Sequence, residues 1–422
     1  KQGEQQMTQQ EQQQQPMNSL NYMRNYNNMD TSYRQPEISP QVQLQQQQQQ
    51  GPEYQFQYQQ QQAMTKSSSN SNKEDNRPQT PEEGAPAPVD FSVVETTLNH
   101  FEETNTPFNP KDVPIFWHIP KAGGSTIKDV IGSCHRFVMA TEWGITDGHD
   151  QDADIAIVYP SVPGATSTDR SPFVNVDTTT LTGIQRAARM GFADSGLADA
   201  VVTPFLWEAN ELFTDTAKGR FFSVFRNPID RAVSMFYYLQ VATWEPTYSP
   251  DLKEWTLLQY ATSEKVENNW MVRQLSNTLG GEINDSHLAL AKDVVRRKVL
   301  VGLMTKLDES MTRFEKFFHW KYHVNPPNQE VCRERLTKGG SNSNSKNKKE
   351  KPKPGDATWE ALTAQNTLDI QLYEYIEELF QEQAALVEGV PDDYRLIDAT
   401  CCKCNPATFP PEGFTCPEAV LN

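Results

Sequence analysis

The strongest constraint on the fold comes from residues 113–134, where an apolar run, a glycine-containing turn and a helical pattern follow one another directly. The run VPIFWHI (113–119) is short, apolar and bounded by proline, so it predicts a buried strand. The turn PKAGGST follows it, and the sequence STIKDVIGSC (125–134) has helical character. A strand that passes through a glycine turn into a helix is typical of α/β proteins with a parallel sheet.

The turn between this strand and this helix has the properties of a phosphate cradle. Two glycines let the backbone approach an oxyanion closely, and the start of a helix directs N–H groups and the positive end of its dipole at the anion. Lys121 adds a positive charge, and Ser125 and Thr126 add hydroxyl donors. Because Lys121 precedes the glycines, the motif differs from the GxxxxGK[ST] loop of Mg²⁺-dependent NTP-binding proteins. The turn predicts a nucleotide ligand and disfavours a P-loop kinase, and the alternative is an ordinary tight strand–helix turn.

A second strand–helix junction lies at residues 219–239, in the sequence GRFFSVFRNPIDRAVSMFYYL. Arg226 follows the predicted strand, and Ser234 comes eight residues later within the predicted helix. Asn227 suits the N-cap and Pro228 the first helical position, where no N–H is needed. Ligands of open α/β sheets bind outside the carboxyl ends of the strands, and an arginine fork suits a phosphate group. Two such strand ends predict a ligand with two separate phosphate groups.

The rest of the chain from residue 91 alternates in the same way. Short apolar runs predict further strands in ADAVVTPF (198–205) and in VLVGL (299–303), whereas residues 144–180 are rich in Asp, Thr, Ser and Pro and predict long loops. Helical periodicity is found in the ranges 251–276, 286–298, 305–320 and 358–388. The sequence therefore predicts an α/β fold in which a mostly parallel sheet is flanked by helices.

Composition divides the chain into three parts. Residues 1–90 are dominated by Gln, Asn, Ser and Pro, and such a segment cannot bury enough apolar surface to offset its chain entropy. We expect this part to be disordered and residues 91–400 to form one domain. Residues 401–422 form a tail that carries four of the six cysteines. Its CCKC sequence lacks the paired spacing of a zinc site, so no metal site is expected. One or two disulfides in this tail are predicted instead.

A lysine-rich stretch, 338–355, interrupts the alternating pattern. The stretch contains six lysines and a single glutamate, Glu350. One interpretation is a solvated, disordered loop, and the other is a mobile basic lid that meets an anionic ligand.

Net charge and hydropathy exclude some classes of function. The chain carries a formal net charge of −17, whereas a general nucleic-acid binder needs a basic surface, so no nucleic-acid partner is expected. No run of about 20 apolar residues is present, so no membrane span is expected within this chain. Because the chain begins with Lys1 and not with Met, a membrane anchor upstream of it remains one interpretation.

Taken together, these motifs resemble the membrane-associated carbohydrate sulfotransferases, the group that includes heparan sulfate 2-O-sulfotransferase. The resemblance covers about residues 113–380. FWHIPKAGGSTIK resembles the 5′-phosphosulfate loop of that family, and FFSVFRNPIDRAVSMFYYL resembles its 3′-phosphate strand and helix. Three further segments, VENNWMVRQLSN, VLVGLMTKLDESMTRFEKFF and NTLDIQLYEYIEELF, resemble later family segments in the same order.

The resemblance implies a P-loop-like fold and 3′-phosphoadenosine 5′-phosphosulfate (PAPS) as the sulfuryl donor, without a metal. It implies that the 5′-phosphosulfate is held by Lys121, Ala122, Gly123, Gly124, Ser125 and Thr126, and the 3′-phosphate by Arg226 and Ser234. It further implies a glycan or polysaccharide hydroxyl as acceptor and a Golgi-lumen enzyme whose membrane association comes only through an anchor upstream of the given chain. Asn284-Asp285-Ser286 is a sequon for N-glycosylation.

The catalytic residues implied are Lys121, for the leaving oxygen, and a base that accepts the acceptor proton. Many relatives have a histidine just before the 3′-phosphate strand, where this chain has Thr203-Pro204. Glu208 is our choice for the base. The other candidates are Glu211, His118, His135 and His149. Because the family histidine is missing, a non-catalytic nucleotide- or glycan-binding protein on the same fold is the alternative function.

Overall fold

The computed structural model describes residues 91–160, 171–243, 245, 247–322, 326–339 and 351–392. The predictions for residues 1–90, for the cysteine-containing tail and for most of the lysine-rich stretch lie outside the described residues.

The described residues form one seven-stranded sheet that is mixed but mostly parallel. The strands are β1 Val113–Trp117, β2 Met139–Ala140, β3 Ile157–Val158, β4 Phe173–Val174, β5 Ala200–Thr203, β6 Gly219–Phe225 and β7 Val299–Leu303. Their order in the sheet is β3-β4-β2-β5-β1-β6-β7, and the pair β3–β4 is antiparallel while every other pair is parallel. The predicted α/β class is therefore confirmed.

Twelve α-helices accompany this sheet in the part of the chain that the structure describes. They are α1 Ser92–Thr97, α2 Gly124–Asp129, α3 Leu181–Arg189, α4 Phe192–Ser195, α5 Pro228–Leu239, α6 Leu257–Ala261, α7 Trp270–Leu275, α8 Asp285–Lys298, α9 Leu307–Phe317, α10 Pro326–Gly339, α11 Ala357–Gln365 and α12 Thr367–Glu382. A π-helical turn, Val130–Cys134, continues α2 without a break.

The core lies on both faces of the sheet, because side chains alternate along each strand. In β1, Ile115 and Trp117 belong to the apolar cluster on one face, and Phe116 belongs to the cluster on the other face. All five residues of β1 and all seven of β6 are buried, as expected for central strands covered on both sides. The sheet therefore exposes mainly its ends to ligands.

Local sequence explains how the second motif folds. The side-chain oxygen of Asn227 accepts hydrogen bonds from the backbone N–H groups of Ile229 and Asp230, and Pro228 occupies the first turn of α5. The predicted N-cap is thus confirmed, and it ends β6 at the point where Arg226 leaves the sheet.

The helical periodicity of 251–276 corresponds to three short helical elements and not to one helix. This range contains a 3₁₀ turn (Pro250–Glu254), α6 and α7. Asn269 precedes α7 with a left-handed backbone (φ 45°), and its side-chain oxygen accepts the N–H groups of Leu368 and Asp369. Asparagine tolerates this conformation, so the chain turns where apolar periodicity alone predicts that it continues.

A disulfide joins Cys134, at the end of the π-helical turn, to Cys332 in α10, with 5.6 Å between their Cα atoms. Sequence reasoning placed disulfides in the C-terminal tail and missed this pairing, because the two cysteines are 198 residues apart. The disulfide links the helix behind the glycine turn to the helix from which the lysine-rich stretch begins.

Candidate functional site

The candidate site lies at the carboxyl edge of the parallel strands, where the turns after β1, β2, β5, β6 and β7 meet. Trp117 pairs with Thr203 across β1 and β5, and the N–H of His118 donates to the carbonyl of Thr203 (2.8 Å). The hydroxyl of Thr178 contacts the carbonyl oxygens of Ala140 and Val202, at 2.9 and 2.8 Å, and so ties the ends of β2 and β5 together. This edge holds both motifs found in the sequence.

The backbone of the glycine turn is bent in two places. Lys121 and Gly123 have left-handed φ angles of 65° and 90°. A Cβ added to Gly123 would lie 2.7 Å from the sulfur of Met304, which follows β7. The turn is therefore shaped by its own conformation and by the neighbouring strand end.

The hydroxyl groups of the turn differ in exposure. Ser125 is exposed, Thr126 is buried, and Ala122 is buried beneath the turn. The N–H of Thr126 donates to the carbonyl of Gly123 at 3.0 Å, so α2 begins directly at the second glycine, Gly124. Ser125 can therefore meet a ligand from solvent, whereas Thr126 is enclosed at the base of the turn.

Gly124 is required because the ring of His118 occupies the space where a side chain would lie. An ideal Cβ at Gly124 would be 2.0 Å from ring atoms of His118. The ring itself stacks on Phe116, with centroids 5.9 Å apart. Burial, followed by the charges of Lys128 and Lys121, lowers the pKa of His118 to about 4, although Glu142 acts to raise it. At neutral pH this imidazole is therefore uncharged.

The Gly124→Ala variant is expected to lose about 1–3 kcal/mol of folding free energy, because the added methyl group must displace the stacked His118 ring. Alanine otherwise favours a helix over glycine, so a destabilisation isolates the steric clash. Urea unfolding measures the loss. Gly339→Ala, where no atom of the described residues lies within 4 Å of the added methyl group, is the matched control. Equal stability of the two variants would contradict the packing described for His118.

The two motifs are in direct contact. Nη1 of Arg226 donates to the backbone carbonyl oxygen of Lys121 at 2.9 Å. Nζ of Lys121 lies 3.7 Å from the centroid of the Tyr238 ring, and the Tyr238 hydroxyl donates to Glu245. The Arg226 side chain is therefore anchored to the backbone of the glycine turn at the carboxyl ends of β1 and β6.

Ser234 lies on the same face of α5 as Tyr238, because residues four apart are neighbours on a helix surface. It is half-buried, and so is Arg226. Burial lowers the pKa of Arg226, while the nearby Asp230 acts to raise it. The usual arginine pKa lies so far above 7 that the guanidinium keeps its charge.

Glu208, the base chosen from the sequence, lies in a 3₁₀ turn (Glu208–Leu212) that leads away from this edge. The side-chain oxygen of Asn210, in this turn, accepts a hydrogen bond from the backbone N–H of His100. The carbonyl oxygen of His100 in turn accepts a hydrogen bond from the N–H of Gly219, at the amino end of β6. Burial and then the charge of Glu211 raise the pKa of Glu208. Its role as the base stays a prediction.

Two of the histidines considered for the base have carboxylate partners elsewhere. His135 is fully buried and its Nε2 lies 2.8 Å from Glu315, and His149 pairs with Asp152 at 2.9 Å. Arg273, in the VENNWMVRQLSN segment, donates to the carbonyl oxygens of Asn268 and Gly281. These contacts hold the protein's own loops together.

Sequence reasoning missed Glu142, which follows β2 at the same edge. Its carboxylate forms an ion pair with Lys128 of α2 at 2.8 Å, and it acts electrostatically on His118. The signal was weak, because β2 is only two residues long and lies within a stretch that resembles loops.

Comparison of the chain with models of known protein families and with curated protein sequences finds no match. Of the residues that the structure describes, none forms a helix with the length and apolar character needed to cross a bilayer. The functional assignment therefore depends on the residues of this edge and their geometry.

Proposed function

We propose that this protein is a PAPS-dependent sulfotransferase with a P-loop-like fold, which transfers a sulfuryl group to a hydroxyl of a glycan or polysaccharide. The observation that carries the proposal is the hydrogen bond from Arg226 to the carbonyl of Lys121. It joins the guanidinium of the second motif to the backbone of the first motif, so that groups suited to a 5′-phosphosulfate and to a 3′-phosphate share one region of the sheet edge. ATP-type nucleotides lack the 3′-phosphate and would leave the second cation without a partner.

The residues at this edge fit the two ends of such a donor. The glycine turn, with Lys121, Ala122, Gly123, Gly124, Ser125 and Thr126, would hold the 5′-phosphosulfate through backbone N–H groups, one ammonium and hydroxyls. Arg226 uses Nη1 to bind the turn, and its other guanidinium N–H groups suit the 3′-phosphate, together with the Ser234 hydroxyl.

The chemistry follows from the placement of charge. PAPS supplies a sulfuryl group bonded to a 5′-phosphate that can leave. The acceptor oxygen forms a bond to sulfur as the sulfur–phosphate oxygen bond breaks, and the electron pair stays on the leaving oxygen. Lys121 would stabilise this developing charge, and a carboxylate or imidazole would take the acceptor proton. In this scheme the rate enhancement comes from the positioning of donor and acceptor and from electrostatic stabilisation of the leaving oxygen, so the scheme requires no metal.

Location in the Golgi lumen belongs to the same proposal. The disulfide between Cys134 and Cys332 supports an oxidising compartment, because stable disulfides are rare in the reducing cytosol. Membrane association would need an anchor upstream of the given chain.

A non-catalytic nucleotide- or glycan-binding protein is the second candidate. One observation favours it: the family histidine position holds Thr203-Pro204, and the carbonyl of Pro204 accepts the indole N–H of Trp117. This local packing leaves no imidazole there, so a binder could keep the donor site without turnover.

Transfer of ³⁵S from labelled PAPS to a panel of desulfated and neutral polysaccharides tests the proposal. We expect the wild type to label at least one acceptor and Lys121→Ala to lower the rate roughly 10²–10³-fold, as for loss of one positioned donor to a developing anion. Lys253→Ala, an exposed lysine away from the edge, is the matched control. Tight binding of adenosine 3′,5′-bisphosphate without any labelling would favour the non-catalytic candidate.

A further inference from the structure

Glu142 stands out among the carboxylates of the described residues because it lies at the edge that holds Lys121. It comes two residues after the end of β2, and β2 runs parallel to β5, which in turn pairs with β1. The carboxyl ends of these strands therefore face the same side of the sheet. Glu142 enters this region from the side opposite to Arg226, because β6 lies on the other side of β1.

The Glu142 carboxylate forms one short ion pair within the protein. Its Oε1 accepts a hydrogen bond from Nζ of Lys128 at 2.8 Å. No hydrogen bond to Oε2 of normal length is found among the described residues, and 38 % of the side chain is exposed. A carboxylate has room for several hydrogen bonds, so this one can accept a further bond from a ligand or a reacting group.

The groups around Glu142 come from three parts of the chain. Lys128 extends from α2, His118 lies in the turn after β1 and is affected by the charge of Glu142, and Thr141 comes directly after β2. Burial acts to raise the pKa of Glu142, but the charge and hydrogen bond of Lys128 and the Thr141 hydroxyl lower it below its ordinary value. At neutral pH the carboxylate is ionised and can accept a proton. His118 beside it is neutral and adds no competing charge.

We propose that Glu142, held by Lys128, is the catalytic base that accepts the proton of the acceptor hydroxyl. This assignment rests on the sulfotransferase function proposed above. In the step, the acceptor O–H bond breaks and its proton passes to the Glu142 carboxylate while the acceptor oxygen bonds to sulfur. The bond between sulfur and the 5′-phosphate oxygen breaks, and that oxygen keeps the electron pair beside Lys121. The products are a sulfate ester, adenosine 3′,5′-bisphosphate and a protonated Glu142, which then returns its proton to water.

Glu142 is better placed for this role than Glu208. Both are carboxylates near the ends of β2 and β5, but the turn of Glu208 is tied through Asn210 to the amino edge of the sheet. Glu142 instead shares the neighbours of Lys121, since His118 experiences the charges of both. The geometry thus favours a residue that sequence reasoning missed over the one that it chose.

The first test compares Glu142→Gln with wild type on the polysaccharide that wild type labels. We expect a roughly 10²–10⁴-fold lower kcat, as for loss of a general base, with the Kd for adenosine 3′,5′-bisphosphate unchanged within about twofold by calorimetry. Glu254→Gln, an exposed glutamate, is the matched control, and Glu208→Gln is run beside it. Should Glu142→Gln fail to fold by circular dichroism, Glu142→Asp keeps the charge opposite Lys128 and is expected to fold with reduced kcat.

A second measurement distinguishes a base from a residue that only supports the fold. In Lys128→Met the pKa of Glu142 should rise, because the lowering charge is gone and burial remains. The acid limb of the kcat profile and the carboxyl titration of Glu142 by ¹³C NMR should both move to higher pH.

Several results would overturn the assignment. The assignment of Glu142 fails, while the proposed function stands, if Glu142→Gln keeps wild-type kcat or if Glu208→Gln produces the loss instead. It also fails if Glu142→Gln weakens adenosine 3′,5′-bisphosphate binding as much as it lowers kcat. It fails together with the proposed function if wild type labels no acceptor at all.

Discussion

Replacing Arg226 with alanine is expected to weaken the binding of adenosine 3′,5′-bisphosphate by roughly 10²-fold while adenosine 5′-phosphate binding changes much less. The physical reason is that a guanidinium–phosphate fork contains charge-assisted hydrogen bonds, each worth about 1.5–3 kcal/mol. Adenosine 5′-phosphate has no 3′-phosphate and cannot lose this contact. Calorimetric titration of both ligands against both proteins gives the ratio directly.

The ratio is needed because Arg226 has a second task. Its Nη1 also holds the carbonyl of Lys121, so alanine at 226 removes a support of the glycine turn. Damage to the turn weakens both ligands equally, whereas loss of the 3′-phosphate contact weakens only one. Arg226→Lys should fall between wild type and alanine, since an ammonium keeps the charge and loses the fork. Arg296→Ala, on the exposed side of α8, is the control. An equal loss for both ligands would remove the 3′-phosphate assignment.

The parts of the site that could be predicted from the sequence are those set by local rules. A glycine turn after an apolar strand indicates where Lys121 lies, and an Asn-Pro helix start indicates where Arg226 leaves β6. Parallel pairing then puts both at one edge, and the structure places them in hydrogen-bond contact. Each of these steps needs only a few neighbouring residues.

The parts that could not be predicted depend on contacts between distant residues. Glu142 follows a two-residue strand whose place beside β5 is set by the sheet and not by its own sequence. The pairing of Cys134 with Cys332 and of His135 with Glu315 spans 198 and 180 residues. Nothing in the composition or periodicity of one segment indicates its partner across such a distance. The same limit applies to Glu208, whose turn is tied through Asn210 to Asn99 and His100.

The second large effect is expected at Glu315, a fully buried residue of α9 that lies between Arg333 and His135. Both of its carboxylate oxygens accept a hydrogen bond from Nε of Arg333, Oε1 at 3.0 Å and Oε2 at 2.9 Å. Its Oε1 also lies 2.8 Å from Nε2 of His135. Glu315→Ala would leave the buried Arg333 guanidinium without its main counter-charge, although Asp308 still pairs with Nη1. We expect a loss of about 3–5 kcal/mol in the free energy of unfolding, measured in urea.

Glu334→Ala on α10 is the matched control, because Glu334 and its partner Lys338 are both exposed at the surface. Exposed pairs of this kind are worth about 0–1 kcal/mol. Replacing Glu315 and Arg333 together by apolar residues of similar size should recover most of the stability, since no buried charge is then left unpaired. If Glu315→Ala costs no more than Glu334→Ala, the buried pair does not hold α10. Because α10 also carries Cys332 and leads into the lysine-rich stretch, a large loss would show that ionic and covalent links together fix the start of that stretch against the helix of the glycine turn.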